Sequence, residues 1–176
     1  MPKSIFLVGL CGAGKTRKAV EMQRRGFVFV EGFEGNPTEA QKLMDSLRAG
    51  SNCVVEEMQT LAAAYRANLE AHLKQEIPGV DVEFWFFEKK IIKATLNVLC
   101  RPADKPVEDH LLINGRVYDH YDLPTDPKAI ILPIDRPTLW RGGRPSLNTL
   151  RLFLVRAMLT VVWVLMGFPL LRRRCR

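Results

Sequence analysis

Short apolar runs alternate along this chain with longer stretches of helix-forming composition. Ser4 to Gly9 is a compact apolar run, as expected for a central parallel strand covered on both faces. Glycines interrupt it, and Lys15 to Arg25 then continues in helix formers until Gly26 stops it. Phe27 to Val30 reads as a second strand, followed by the acidic stretch Glu31-Gly32-Phe33-Glu34-Gly35. Pro37 sits where a first helical turn tolerates it, and that helix is expected to reach Ala49 with Gly50 as its stop. Asn52 to Val55 is a third strand, closing on Glu56 and Glu57. Thr60 to Glu76 has helical composition and stops before Pro78. Val80 to Phe87 is a fourth strand, dense in Phe and Trp. Glu88 to Leu99 reads as a helix with Lys89, Lys90 and Lys93 on a solvated face. Pro106 opens a further helix that Tyr121-Asp122-Leu123-Pro124 ends, and Ala129 to Ile134 is a fifth strand.

Strands alternating with helices imply an α/β fold: a three-layer sandwich around a central, mainly parallel five-stranded sheet with right-handed crossovers. The pattern leaves the strand order open. Residues 1–135 form this domain, residues 136–150 an Arg/Pro/Gly-rich linker, and residues 151–176 an apolar helix with a basic end. Leu152 to Leu171 is interrupted among charged types only by Arg156, a length that could span a bilayer. A central arginine opposes insertion by roughly 2.5–3.5 kcal/mol, but Arg156 lies near the end, where snorkelling lowers the cost. Membrane contact of residues 152–171, docking on the domain and a non-native extension stay open as readings.

Composition changes the picture little until it is divided. The 176 residues are 47% apolar and 26% charged, ordinary for a globular protein with one core. The net charge of +7 invites a nucleic-acid reading. Yet residues 1–135 hold 17 Lys and Arg against 19 Asp and Glu, while residues 136–176 hold nine Arg and no acid. The basicity belongs to the tail, so nucleic acid is an option rather than a requirement. Cys11, Cys53, Cys100 and Cys175 lack metal-ligand spacing and read as reduced thiols of a cytoplasmic protein. MPKSIFLVGL feeds a glycine loop rather than a cleavage site, so it reads as a strand and not as a secretory signal. His72, His110 and His120 suggest no nucleophile or metal arrangement.

The strongest chemical signal is Gly9-Leu10-Cys11-Gly12-Ala13-Gly14-Lys15-Thr16, which matches GxxxxGK[ST] without a mismatch. Glycines let the backbone curl so that successive N–H groups converge on phosphate oxygens. The following helix adds its positive N-terminal end. Lys15 is expected to reach the β- and γ-phosphates of a nucleotide and Thr16 to offer its hydroxyl to Mg2+. The nucleotide contacts thus run from Gly9 through Thr16 to Arg17.

In open parallel sheets, ligand chemistry gathers at the carboxyl ends of the strands, and two such ends are acidic here. Glu56 and Glu57 are candidates for holding Mg2+ with Thr16. Glu31 and Glu34 are candidates for accepting the proton of an acceptor hydroxyl.

GLCGAGKT, the strand Cys53-Val54-Val55-Glu56-Glu57, and Phe86-Phe87-Glu88 followed by Asn97-Val98-Leu99-Cys100-Arg101 together carry a resemblance. The chain resembles the small P-loop kinases related to phage polynucleotide kinase, zeta toxins and adenylate kinases, over about residues 4–134. The stretch Tyr118 to Pro124 also resembles that family's segment before its last strand. The resemblance implies a P-loop NTPase fold, ATP and Mg2+ as cofactors, the phosphate and metal roles for Lys15 and Thr16, and a catalytic lid role for Arg101. It makes Arg66 a weaker candidate for substrate or phosphate contact, and Lys105 or Arg116 candidate supports for the lid. The family usually has Asp after its second strand, where this chain has Glu31 and Glu34.

The resulting expectation is phosphoryl transfer from ATP to a hydroxyl acceptor: a nucleoside, a nucleic-acid 5′-hydroxyl or another small metabolite. The alternative is a nucleotide-dependent ATPase or switch docked on a membrane or partner through its tail. No NKxD-type guanine signature is present.

Overall fold

A computed structural model of the chain describes residues 1–100 and 107–135, together with the helical positions Leu154 and Met158. The expected lid residue Arg101, its neighbour Lys105, the linker 136–150 and the membrane-contact segment 152–171, Leu154 and Met158 apart, lie outside the described residues. Among the described residues no helix is long and apolar enough to cross a membrane.

The elements follow the alternation closely: β1 (Lys3–Val8), α1 (Lys15–Gln23), β2 (Val28–Glu31), α2 (Pro37–Arg48), β3 (Cys53–Glu56), a 3-10 turn (Met58–Leu61), α3 (Ala63–Glu76), β4 (Asp81–Phe87), α4 (Ile91–Leu99), α5 (Glu108–Val117) and β5 (Ile131–Leu132). The sheet order is β2-β3-β1-β4-β5. Every pairing is parallel, so the sheet is wholly rather than mainly so.

This order assigns the helices to layers. The step from β1 to β2 moves one way across the sheet, whereas those from β2 to β3 and from β3 to β4 move the other way. Right-handed crossovers therefore put α1 on one face and α2 and α3 on the opposite face. The core divides accordingly. Ile5, Leu7 and Val54 pack with Ala19 and Met22 of α1. The alternate residues Phe6, Cys53 and Val55 pack with Leu43 and Leu47 of α2 and with Leu69 and Leu73 of α3. The architecture is a P-loop NTPase-like three-layer α/β sandwich.

Among the element boundaries that differ from the sequence expectation, three have a visible cause. The helix expected from Thr60 is split: Met58–Leu61 forms the 3-10 turn, Ala62 is extended, and α3 begins at Ala63. Glu57 accounts for the turn, because its carboxylate accepts the N–H of Gln59 and offers the chain a local start there. The helix expected from Glu88 begins at Ile91. Glu88 instead extends the sheet, its N–H donating to Leu132 O, and its carboxylate pairs with Lys90 and Lys93. The fifth strand is two residues long rather than six, because it pairs only alongside Phe86 and Phe87 at the end of β4.

Candidate functional site

β1 occupies the middle of the sheet and ends at Val8, where the glycine loop leaves its carboxyl end for α1. The chain reverses its direction of travel beside β1, which opens a crevice at this edge. Each loop glycine has a physical reason. A Cβ at Gly9 would lie 2.9 Å from Cβ of Phe87. Gly12 adopts φ 85° and is pressed so closely on α4 that a Cβ would lie 2.2 Å from the carbonyl oxygen of Ala94. Gly14, the residue before α1, adopts φ 106°, and a Cβ there would make only an ordinary 3.7 Å contact with the Phe87 ring. α1 begins without a side-chain cap, so its first-turn amides at Lys15, Thr16 and Arg17 have no intrahelical acceptor and present their positive end to the loop.

Lys15 and Thr16 converge on one acid. Thr16 Oγ1 donates to Glu56 Oε2 at 2.7 Å, and Lys15 Nζ lies 3.5 Å from Glu56 Oε1. The lysine is buried; its ammonium also donates to the carbonyls of Gly9 (2.8 Å) and Leu10 (3.2 Å). This convergence follows from topology: β3 runs parallel beside β1, and Glu56 stands opposite Leu7 in register. Hydroxyl and carboxylate together form a hard oxygen donor set, of the kind that binds Mg2+ alongside phosphates. Among the described residues no cluster of three or more His, Cys, Asp or Glu offers a self-sufficient metal cage.

The two acids at the end of β3 thus serve different partners. Glu57 is buried; its carboxylate accepts the N–H of Glu34 (3.0 Å) and of Gln59 (3.3 Å), tying the loop after β2 to the 3-10 turn. Only Glu56 touches Thr16. Glu31 ends β2 opposite Glu56 in register and is exposed. Glu34 Oε2 accepts the hydroxyl of Tyr65 at 2.7 Å. Burial first, and then the Glu34 carboxylate, holds the Tyr65 phenol well above the usual range, so it remains a donor. Arg17 pairs with Asp135, just beyond β5.

The guanidinium of Arg66 is committed elsewhere. It donates to the carbonyls of Thr60, Leu61 and Asp122 at 2.8 to 2.9 Å and lies 4.9 Å from the centre of the Phe86 ring. Burial lowers its proton affinity without removing its charge. Its expected contact with substrate or phosphate gives way to a structural role, bracing the 3-10 turn against the segment before β5.

Three residues behind the loop were not singled out as site residues by the sequence. Asn114 of α5 is buried, accepts the N–H of Cys11 (2.7 Å) and donates to the carbonyl of the same residue (2.9 Å). Asn97 of α4 donates to Gly12 O (2.9 Å) and Asp135 O (3.1 Å). The buried Tyr121 hydroxyl lies between the carbonyls of Val8 (3.1 Å) and Phe87. The tyrosine stood in a stretch already noticed, and Asn97 in the Asn-x-x-x-Arg element. Asn114 carried no signal beyond being an amide in a helix.

The molecule is thus of P-loop NTPase-like architecture, with the GxxxxGK[ST] loop at the strand edge where such folds carry ligand chemistry. No protein-family model and no curated protein matches the sequence. Among solved structures, the crystal structure of APE1195 is similar at 17% identity and a TM-score of 0.47, covering 89% of this chain and 96% of that chain.

Proposed function

We propose that the chain is an ATP- and Mg2+-dependent kinase that transfers the γ-phosphoryl group to a hydroxyl acceptor. The observation that carries the reading is the meeting of Lys15 and Thr16 on Glu56, within a perfect GxxxxGK[ST] loop. On this reading the loop amides from Gly9 to Arg17 cradle the phosphates, and Lys15 exchanges its loop carbonyls for phosphate oxygens. Thr16 and Glu56 hold the metal, which when bound neutralises charge on the phosphates. Glu57 acts indirectly, by fixing the loop that carries Glu34.

Glu34 is the favoured residue for receiving the acceptor's proton, because Tyr65 already holds its carboxylate in position. Arg101 keeps its lid role from the resemblance alone. Cys53 and Cys100 are free thiols, which suits a reducing cytoplasm.

The test is transfer of γ-labelled phosphate from ATP with Mg2+ to nucleosides and 5′-hydroxyl oligonucleotides, with Lys15→Ala beside it. Label on an acceptor, lost in the variant, supports the kinase. Label appearing only as free phosphate favours the ATPase or switch, and unchanged turnover in Lys15→Ala removes the phosphate-loop assignment.

A further inference from the structure

A cleft of about 410 Å3 opens beside the acidic loop that follows β2. Tyr65, Asn68, Leu69 and His72 recur at helical spacing and present one face of α3 to it, while Phe33 and Glu34 form the facing wall. Its size is that of a small-molecule site. The walls are chemically uneven. Phe33, Tyr65 and His72 supply rings, and Phe33 is itself supported edge-on by Phe6 at 6.3 Å. Glu34 supplies the one formal charge among the described lining residues, which include no lysine or arginine.

The cleft is tied to the glycine loop by a short chain of contacts. Glu57 holds the backbone of Glu34, and its neighbour Glu56 holds Thr16. A compound in this cleft therefore lies against Glu34 near the carboxyl ends of β2 and β3.

We infer that the cleft takes the phosphoryl acceptor, and that this acceptor is an uncharged, ring-bearing alcohol rather than a phosphorylated one. The inference rests on the kinase reading. A flat ring gains contact with Phe33, Tyr65 and His72, and Asn68 offers hydrogen bonds in both directions. A phosphate on the acceptor meets the Glu34 carboxylate with no compensating cation among the described lining residues. In the transfer, the acceptor oxygen forms its bond to the γ-phosphorus as the bond to the β,γ-bridging oxygen breaks. ADP leaves, and the hydroxyl proton passes to Glu34.

The experiment uses the full chain with Mg2+ and a non-hydrolysable ATP analogue. Calorimetry follows binding of a panel of nucleosides and of their 3′-phosphates, which share a 5′-hydroxyl and differ by a dianion. The nucleosides are expected to bind at least about tenfold more tightly than their 3′-phosphates. Glu34→Gln narrows that gap, and Asn68→Arg, an exposed change, reverses it. Equal or tighter binding of the 3′-phosphates by the unaltered protein overturns the inference. So does binding of no nucleoside while the ATP analogue still binds, a result that leaves the phosphate loop standing. Failure of the kinase reading is read separately, from ATP-analogue binding that Lys15→Ala does not change.

Discussion

Asn114 grips the peptide of Cys11 from both sides, accepting its N–H at 2.7 Å and donating to its carbonyl at 2.9 Å. The two residues are 103 positions apart, and the pairing docks α5 on the middle of the glycine loop. A buried amide in this arrangement has its acceptor and one of its donors satisfied by a single backbone residue. Loop curvature then depends on a helix that lies far away in sequence.

Asn114→Ala removes both bonds and leaves the Cys11 peptide without these partners. A loss of about 2 kcal/mol in stability is expected, together with weaker nucleotide binding. Urea unfolding reads the first effect and calorimetry with ATP the second. Asn114→Asp is expected to do no better, since it sets a carboxylate against the Cys11 carbonyl. An unchanged unfolding midpoint in Asn114→Ala denies the clamp any energetic weight.

Gly12 and Gly14 share a left-handed backbone but differ in surroundings, and the difference is measurable. Gly14→Ala meets nothing closer than 3.7 Å, so only conformational strain of about 1–2 kcal/mol is expected. Gly12→Ala adds a collision with the Ala94 carbonyl, which belongs to a helix and cannot yield without moving it. It is expected to cost at least about 3 kcal/mol and to displace the loop from α4. Equal losses in denaturant titrations of the two variants would contradict this account of their packing.

The unequal legibility of this site has a physical basis. The glycine loop was readable because its chemistry is local: consecutive residues supply turn, helix start, ammonium and hydroxyl. Strand positions were readable because a strand buried on both faces needs an unbroken apolar run, as in Ile5 to Val8. Sheet order was not, since β1 pairs with β3 and β4 through backbone groups that every residue carries. The distinct fates of Glu56 and Glu57 were equally hidden. Adjacent strand-end residues point in opposite directions, and register with β1 decides which one meets Thr16. β5 was overestimated for the same reason: Ile130 and Ile131 are apolar yet exposed at the sheet's edge.

Cys53 gives the fold a pH signature. Burial between β1 and β2 raises its thiol from 9.0 to about 11. The folded state therefore holds the proton more tightly than the unfolded chain. Stability from this source is intact below about pH 9 and declines as the pH climbs towards 11. Burial raises Tyr65 and Tyr121 as well, which steepens the decline above their ordinary value of 10.0. Cys53→Ala is expected to flatten the part of the slope between pH 9 and 11, seen as a smaller drop in Tm across that range. A slope identical to that of the unaltered protein would assign the alkaline loss to the other groups held above their ordinary range, the tyrosines, Cys100 and Lys3 among them.

Glu56 and Glu57 supply the sharpest separation of roles, because both are carboxylates at the end of one strand. Glu56→Gln keeps an oxygen for Thr16 but removes the charge that faces Lys15. Phosphoryl transfer is expected to fall about 10- to 100-fold, with the Mg2+ concentration for half-maximal rate moving upward. Thr16→Ala should move that concentration in the same direction. Glu57→Gln keeps an acceptor for only one of the amides of Glu34 and Gln59, which take different carboxylate oxygens, and sets an NH2 group against the other. Its effect is expected on the acceptor's KM, through the loop bearing Glu34, with the Mg2+ dependence unmoved. A Mg2+ titration of the two variants decides the matter. A rightward shift confined to Glu56→Gln supports the pairing with Thr16 as the metal site, whereas a shift confined to Glu57→Gln transfers that role to the buried acid.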